Sequence, residues 1–393
     1  MKRALNLCIL SLLFSMGTVS ADNAPPHDPT TLAQLKVKLT ADCEAGRFSG
    51  VVIARKAGEV IFQHVCGLAD VASRKPITLG TRFKIFSVSK SFTGTLVMLL
   101  ADRHLISLDE AARKNVPDMP EEWGAITIRQ LLNHTSGIPD LTEKLLKAYQ
   151  ANASGLYDGA MHSVLTGASA EDKKITGVPG SAFVYNNFGY ELLARVIENV
   201  SHKSYEQVIT DEIFKPAHMD TAEISKPSIS DGKLMGPQPS PGLAQGYNGK
   251  PGSLEPANSF QFVQMGAGAI YASARDMLNF DSTLSGGKLV SANIVTDCIS
   301  NAFVVRPNLV SYGCGWMDRK IGDELYFQHD GGNNGFAADF ARDPDKRITV
   351  VVMSNLGFVD PGDYRYPLMS ILLNPSHSAG SGMNSVSPGT GAN

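Results

Sequence analysis

The stretch SVSKSFTGTLVMLLADRH, residues 87–104, decides the fold. It begins with Ser87, and Lys90 follows three residues later, one helical turn along the same face. Its apolar positions are Phe92, Leu96, Val97, Leu99 and Leu100. Their spacing predicts a buried helix that starts with a hydroxyl and an amine side by side.

Physical context distinguishes this Ser-x-x-Lys from its repeats, because the motif occurs at Ser87/Lys90, Ser230/Lys233 and Ser285/Lys288. The last two lie in Gly-containing stretches that are typical of turns. Only Ser87 begins an apolar helix, whose N-terminus favours negative charge on the serine oxygen. We interpret Ser87 as a nucleophile beside Lys90; a helix cap with a solvated lysine is the alternative. The chain has no Gly-x-Ser-x-Gly, the nucleophile elbow of α/β-hydrolases.

A second motif, Tyr185-Asn186-Asn187, is the only Tyr-x-Asn in the chain. In an extended loop, residues two apart point the same way. The tyrosine can relay a proton and the second asparagine can bind a substrate amide. The alternative is a turn with a packed tyrosine.

A third motif, His329-Asp330-Gly331-Gly332, ends a β-like run. Its glycines let the backbone approach a ligand closely. The N–H groups of Gly332 and Ser87 could form an oxyanion hole. A Gly-rich hairpin bend is the alternative; a phosphate loop is excluded because no Lys-Ser/Thr follows the glycines.

In this order the three motifs resemble the penicillin-recognising serine hydrolases. That superfamily contains class C β-lactamases, D-alanyl-D-alanine carboxypeptidases and β-lactamase-fold esterases. The resemblance covers most of residues 31–374, with further support from residues 126–139 and 266–276. It implies an acyl-enzyme at Ser87, with Lys90 accepting its proton or lowering a partner's pKa and Tyr185 as general acid/base.

The same resemblance implies that Asn187 orients the substrate and that His329 hydrogen-bonds Tyr185 or a substrate carboxylate. Most β-lactamases have Lys-Thr/Ser-Gly where this chain has His329-Asp330-Gly331. A histidine is mostly neutral at pH 7, so it attracts a carboxylate less than a lysine would. We therefore expect a D-amino-acid peptide substrate first, a small ester second and a β-lactam third. A non-catalytic binding protein on this fold is the alternative from another class.

The predicted elements favour an α+β fold with an antiparallel sheet. One α/β part is expected to consist of residues 31–86 plus 300–374. It would contain a helix (31–44), a hairpin (48–55 and 59–67) and C-terminal strands (325–329, 335–342 and 347–355). Residues 87–299 would be a mostly helical insertion, with a cleft between the two parts. The loop 236–259 would line that cleft, and residues 375–393 would form a flexible tail. His134 reads as a structural hydrogen-bonder, and Asp339 as a solvated strand residue.

Composition and the N-terminal residues indicate the class of protein and its cellular compartment. Of the 393 residues, 43% are hydrophobic, which is typical of a globular protein. The net charge of −3 does not favour binding to nucleic acid, so nucleic acid is not a predicted partner. Lys2 and Arg3, an apolar run and Val19-Ser20-Ala21 predict a leader, residues 1–21, and a periplasmic or secreted protein. The run is too short to span a bilayer, so no membrane segment is predicted after its removal.

Four cysteines remain after the leader, and an even number permits two disulfides. Three connectivities are open, with a preference for sequence neighbours, Cys43–Cys66 and Cys298–Cys314. No Cys-x-x-Cys and no metal-spaced acidic or histidine cluster is present. The sequence thus predicts neither a metal nor an organic cofactor, and it indicates no oligomeric state.

Overall fold

The structure is a computed structural model that describes residues 30–151, 157–225, 228–230, 233–235, 242–257, 264–306 and 310–373. The α-helices are α1 (Leu32–Glu44), α2 (Ser89–Asp102), α3 (Ile128–Leu132), α4 (Thr142–Ala151), α5 (Tyr157–Thr166), α6 (Asn187–Ser201), α7 (Tyr205–Ile209), α8 (Met265–Gly268), α9 (Ala274–Ser285), α10 (Ala292–Ser300) and α11 (Gly362–Leu373). The strands are β1 (Gly50–Lys56), β2 (Glu59–Cys66), β3 (Leu68–Asp70), β4 (Lys75–Pro76), β5 (Arg82–Lys84), β6 (Glu223–Ile224), β7 (Ser228–Ser230), β8 (Lys233–Met235), β9 (Tyr247–Lys250), β10 (Ser253–Pro256), β11 (Ile270–Ser273), β12 (Phe303–Arg306), β13 (Val310–Gly313), β14 (Trp316–Ile321), β15 (Glu324–Asn333), β16 (Phe336–Asp343) and β17 (Ile348–Ser354).

An eight-stranded antiparallel sheet organises the molecule, in the order β12-β13-β14-β15-β16-β17-β1-β2. The N-terminal hairpin joins the C-terminal strands because β1 pairs with β17, placing Gly50 opposite Ser354. The predicted α+β fold with a sheet built from both ends of the chain is confirmed.

The sheet is buried on both faces, and strand alternation sorts its side chains between two cores. In β1, Val51 and Ile53 pack toward the central helices, whereas Val52 and Ala54 pack toward α1 and α11. Every residue of β16 and β17 is buried. Burying one aliphatic side chain completely contributes about 1.5–3 kcal/mol to folding stability, so these two strands form the stable centre of the sheet.

Helix α2 lies at the centre of the helical layer, and close backbone contacts fix its position. A Cβ atom at Gly94 would lie 2.0 Å from the Cys314 carbonyl oxygen. A Cβ atom at Gly315, where φ is +86°, would lie 2.3 Å from the Lys90 carbonyl oxygen. Glycine is required at both positions, so α2 is held directly against the turn that joins β13 to β14.

The predicted helix 31–44, the first hairpin and the three C-terminal strands all form close to their expected bounds. Thr31 caps α1 through a capping box with Gln34, as its sequence favours. Two boundaries differ. Ser87 lies in a 3-10 turn, Phe86–Val88, and α2 starts only at Ser89. Strand β15 continues past the expected end at residue 329 as far as Asn333. The described part of the predicted loop 236–259 contains the hairpin β9–β10, so part of it is regular secondary structure.

The middle of the chain also contains short strands, since β5, β11 and β6 form a small antiparallel sheet. The division into an α/β part and an insertion remains a prediction. The predicted leader, residues 1–21, and tail, residues 375–393, lie outside the described residues. No helix in the described ranges combines the length and apolarity needed to cross a membrane.

Two disulfides are present, Cys43–Cys66 and Cys298–Cys314, which confirms the preferred pairing. The first joins the last turn of α1 to the end of β2. The second joins α10 to the β13–β14 turn that contacts α2.

Candidate active site

Ser87 is positioned by a tight approach between a turn and a strand. The preceding residue, Phe86, has φ of +43°, an unfavourable conformation for a bulky residue. Gly331 of β15 lies against this turn, and a Cβ atom there would lie 2.2 Å from the Ile85 oxygen and 2.7 Å from the Ser87 nitrogen. The missing side chain thus lets β15 reach the backbone of Ser87.

Lys90 is fully buried and makes three hydrogen bonds through Nζ. Its partners are Ser87 Oγ at 3.1 Å, Asn187 Oδ1 at 2.8 Å and the Ala267 carbonyl oxygen at 3.1 Å. Burial lowers the pKa of Lys90 to about 7, partly opposed by nearby carboxylates, the largest effect being that of Glu191. A neutral amine donates twice and accepts once, so the deprotonated Nζ can donate to the two oxygens and accept the proton of Ser87.

Tyr185 contacts both groups. Its ring centroid lies 4.7 Å from Lys90 Nζ, and the Ser87 side chain is a hydrogen-bond partner of its hydroxyl. Burial raises the pKa of Tyr185 well above its usual value, and the Ser87 contact only partly opposes this. The phenol therefore stays protonated at neutral pH and is available as a proton donor.

Asn187 reaches the site from the first turn of a helix, not from the extended loop that the sequence suggested. Asn186 caps α6, because its Oδ1 accepts the N–H of Gly189 at 3.0 Å. The N–H of Asn187 donates to Asp140 Oδ2 at 3.1 Å. Its Oδ1 accepts from Lys90, which leaves the amide nitrogen as the side-chain group that can donate to a ligand.

His329 is buried and neutral, and both of its ring nitrogens have hydrogen-bond partners within the protein. Its Nδ1 donates to the Asp330 carbonyl oxygen at 2.6 Å, and its Nε2 accepts from the Tyr312 hydroxyl at 3.0 Å. Burial lowers the pKa of His329 to about 4. The expected hydrogen bond to Tyr185 is wrong, because the two rings are 6.4 Å apart and both imidazole nitrogens are occupied.

Strand alternation turns Asp330 to the opposite face of β15. There it accepts from Gln328 at 3.3 Å, opposite Asp339 on β16. The expectation that Asp339 is solvated is wrong, since it is 2% exposed and bonds Arg365 of α11 at 2.9 Å. The packing of α11 over this face buries a position that the strand pattern alone leaves open.

Gly332 is exposed near the end of β15. A Cβ atom added to it would come no closer than 3.6 Å to any atom beyond its chain neighbours, the nearest being the Phe336 carbonyl oxygen. Strand β14 pairs with β15 only as far as Gln328. From His329 to Gly332, no strand of the described residues occupies that edge of β15. The backbone N–H and C=O groups of this edge can therefore bind a ligand.

Sequence reasoning gave His134 a structural role, and the structure adds its place beside the catalytic candidates. Its Nδ1 accepts the N–H of Asn186 at 3.1 Å. The ring packs between Tyr185 and Tyr312, at centroid distances of 4.3 and 4.6 Å. Burial lowers its pKa well below the usual value, so Nε2 carries the single proton, without a partner in the described residues.

Glu191 was missed, although it lies four residues after Asn187 on the same helix face. It is fully buried and accepts the N–H groups of Met265 at 2.8 Å and Ala267 at 2.9 Å, together with the Tyr157 hydroxyl. Burial raises its pKa to about 7. Because Ala267 also accepts from Lys90, Glu191 fixes the backbone that holds the amine.

The described residues therefore bring Ser87, Lys90, Tyr185 and Asn187 together and place the β15 glycines against the Ser87 backbone. This arrangement can supply a nucleophile, a base, a proton donor and backbone N–H groups for an oxyanion. The only cluster of metal-ligating side chains in the described ranges is Cys43, His64 and Cys66, outside this site.

Comparisons with known proteins show what this chain is similar to. A family model described as Beta-lactamase matches residues 32–372. Penicillin-binding protein 4* of Bacillus subtilis is 26% identical over 327 residues, covering 79% of this chain and 69% of that protein. The D-aminopeptidase of Brucella anthropi is 29% identical over 332 residues, covering 84% and 60%. The D-amino acid amidase of Ochrobactrum anthropi SV3 has a TM-score of 0.70 at 22% identity, covering 88% of this chain and 99% of that one.

Proposed function

Because this chain belongs to the beta-lactamase family and is a serine hydrolase of that family, we propose that it cleaves amide bonds of D-amino-acid peptides through an acyl-enzyme at Ser87. The observation that carries the assignment is the 3.1 Å contact between Ser87 Oγ and a buried lysine whose pKa is about 7. A buried amine that is partly neutral at pH 7 is a competent base for a hydroxyl. The matched part of this chain spans 69% of penicillin-binding protein 4* and 60% of the D-aminopeptidase, so the substrate is part of the proposal.

In the proposed acylation, neutral Lys90 takes the proton of Ser87 as Oγ attacks the substrate carbonyl. The N–H groups of Ser87 and Gly332 stabilise the oxyanion. Tyr185 gives its proton to the leaving amine, and Lys90 returns the serine proton to Tyr185. Water then attacks the acyl-enzyme and loses a proton to Lys90. Lys90 passes this proton to Ser87 Oγ as the bond to the acyl carbon breaks, which releases the carboxylic acid and regenerates free Ser87. The directions of the two pKa shifts favour Lys90 as the first base.

The charges around the cleft favour a substrate that carries an amine. His329 is neutral, and Asp140 is one of the carboxylates that raise the pKa of Lys90. Asp140 is exposed and adjacent to the N–H of Asn187. Within D-amino-acid peptides we place the free α-ammonium group near Asp140, and we expect a carboxylate beside the scissile bond to be disfavoured.

This proposal is tested with the p-nitroanilides of D-alanine, L-alanine and N-acetyl-D-alanine. We expect the D-alanine compound to be cleaved fastest, and Ser87→Ala to abolish turnover. Asp140→Asn should raise KM for D-alanine p-nitroanilide about threefold to fivefold, as for an exposed ion pair, and should leave KM for the acetylated compound unchanged. Asp158→Asn, which removes a surface ion pair with Arg195, is the matched control. Faster cleavage of the L-alanine compound would refute the stereochemical assignment.

We also propose that the protein is exported by the leader, residues 1–21. Its two disulfides support an oxidising compartment. Fractionation of cells producing the full chain checks this proposal: the processed protein should be found outside the cytoplasm. Unprocessed protein in the cytoplasmic fraction would contradict it.

A further inference from the structure

A histidine lies directly beside one of the two disulfides. His64 Nε2 is 3.4 Å from Cys43 Sγ, and the ligand atoms of Cys43, His64 and Cys66 all lie within 4.8 Å of one another. His64 and Cys66 are two residues apart on β2, so both side chains point to the same face. Cys43 reaches them from the last turn of α1. Two rigid elements therefore hold one nitrogen and two sulfur atoms together.

The nitrogen–sulfur separation fits a metal site. Zinc binds cysteine sulfur at about 2.3 Å and histidine nitrogen at about 2.0–2.1 Å, so tetrahedral geometry puts the two ligands about 3.5 Å apart. The observed 3.4 Å matches this distance before any movement. The two sulfur atoms must separate to about 3.8 Å, and Cys66 Sγ, now within 4.8 Å of the histidine ligand atom, must take its place in the same tetrahedron. The Cα atoms of the two cysteines are already 6.3 Å apart, so side-chain rotation can open this gap.

The ligand chemistry of the imidazole and the access of solvent to the cluster also fit a zinc site. The imidazole nitrogen of a histidine is among the commonest zinc ligands in proteins. All three residues are half-buried, so water can reach the fourth position of a tetrahedral ion. The other disulfide, Cys298–Cys314, is buried and forms no such cluster in the described residues.

We propose that Cys43, His64 and Cys66 form a redox-gated zinc site. A dithiol transfers two electrons and two protons to the Cys43–Cys66 disulfide, giving two thiols and one oxidised dithiol. Zn²⁺ then displaces two protons from these thiols and binds two thiolates, His64 Nε2 and one water. In this way zinc replaces the disulfide as the link between α1 and β2. The site is independent of the proposed hydrolase activity.

The test uses the full chain with zinc or cobalt ions alone. Oxidised protein should bind neither ion at this site. After treatment with a phosphine reductant, calorimetry should show one zinc ion per chain, and cobalt should give a sulfur-to-metal charge-transfer absorption. His64→Gln keeps both cysteines, and it should weaken zinc binding to the reduced protein at least tenfold. His162→Gln changes an exposed histidine that pairs with Asp118, and it should have no effect.

Two results would overturn the site. One is the absence of stoichiometric zinc binding to the reduced protein. The other is equal zinc affinity of the reduced parent and His64→Gln, because binding would then need only two free thiols. Since His64→Gln leaves the Cys43–Cys66 disulfide able to form, its thermal unfolding in the oxidised state shows whether the fold is intact.

Discussion

Replacing Gly331 by alanine tests whether the contact between β15 and the Ser87 turn sets the rate. The new Cβ atom would lie 2.2 Å from the Ile85 oxygen, where ordinary contacts begin at 3.4 Å. The turn and the strand must therefore separate by about 1 Å, and the space between the N–H groups of Ser87 and Gly332 widens with them. A misplacement of about 1 Å costs roughly 100-fold in rate, and loss of one oxyanion donor costs about 10²–10³-fold. We expect kcat/KM to fall by about 10²–10³-fold.

The assay combines turnover of D-alanine p-nitroanilide, the rate of Ser87 labelling by a fluorophosphonate, and thermal unfolding. Gly80→Ala is the matched control, since Gly80 is exposed and its Cβ would come no closer than 3.8 Å to Thr78 Oγ1. Gly332→Ala keeps its N–H, and its Cβ meets nothing closer than 3.6 Å, so its loss should be tenfold or less. The reasoning is refuted if Gly331→Ala keeps parental activity, or if Gly332→Ala is equally damaging.

Three further changes probe the same site. Ser87→Ala should lower kcat at least about 10⁴-fold while shifting the unfolding temperature by no more than a few degrees; retained turnover would exclude Ser87 as nucleophile. Activity should rise as pH passes through about 7, where Lys90 loses its proton. Glu191→Gln removes a charge that raises this pKa, so the acid limb of kcat/KM should move to lower pH, and an unmoved limb would contradict the coupling. His329→Lys should increase acylation by benzylpenicillin, measured by intact-protein mass spectrometry, because a cation replaces a neutral ring; an unchanged acylation rate would count against this electrostatic account.

The catalytic candidates could be predicted because each has a local signature. The Ser87–Lys90 spacing belongs to one helix start, and Tyr185 and Asn187 are close in sequence. The two pairs come together when α6 packs on α2, as expected for two helices with apolar faces. The position of Ser87 before the helix was not predictable, since the conformation of Phe86 depends on Gly331 from a distant strand.

The features that the sequence did not predict, namely the partners of His329, the burial of Asp339 and the contact of His64, all depend on tertiary contacts. His329 bonds Tyr312, which lies two strands away on β13, so no local pattern relates them. Alternation along β16 gives the face of Asp339, but only the docking of α11 determines that this face is buried. The sequence leaves three cysteine pairings open, and the preference for neighbours, which are 23 and 16 residues apart in the two disulfides, is confirmed. The contact of His64 with Cys43 requires the packing of α1 on β2, which no local pattern predicts.

The pairing of β1 with β17 has a consequence for how the chain is made. Gly50 and Ser354 are about 300 residues apart, so β1 emerges long before its partner. At a synthesis rate of about 5–20 residues per second, the edge of β1 waits roughly 15–60 seconds. During this interval a Val- and Ile-rich strand edge is open to neighbouring nascent chains. The yield of native protein should therefore depend on expression temperature and on the density of nascent chains, even when the folded molecule itself is stable.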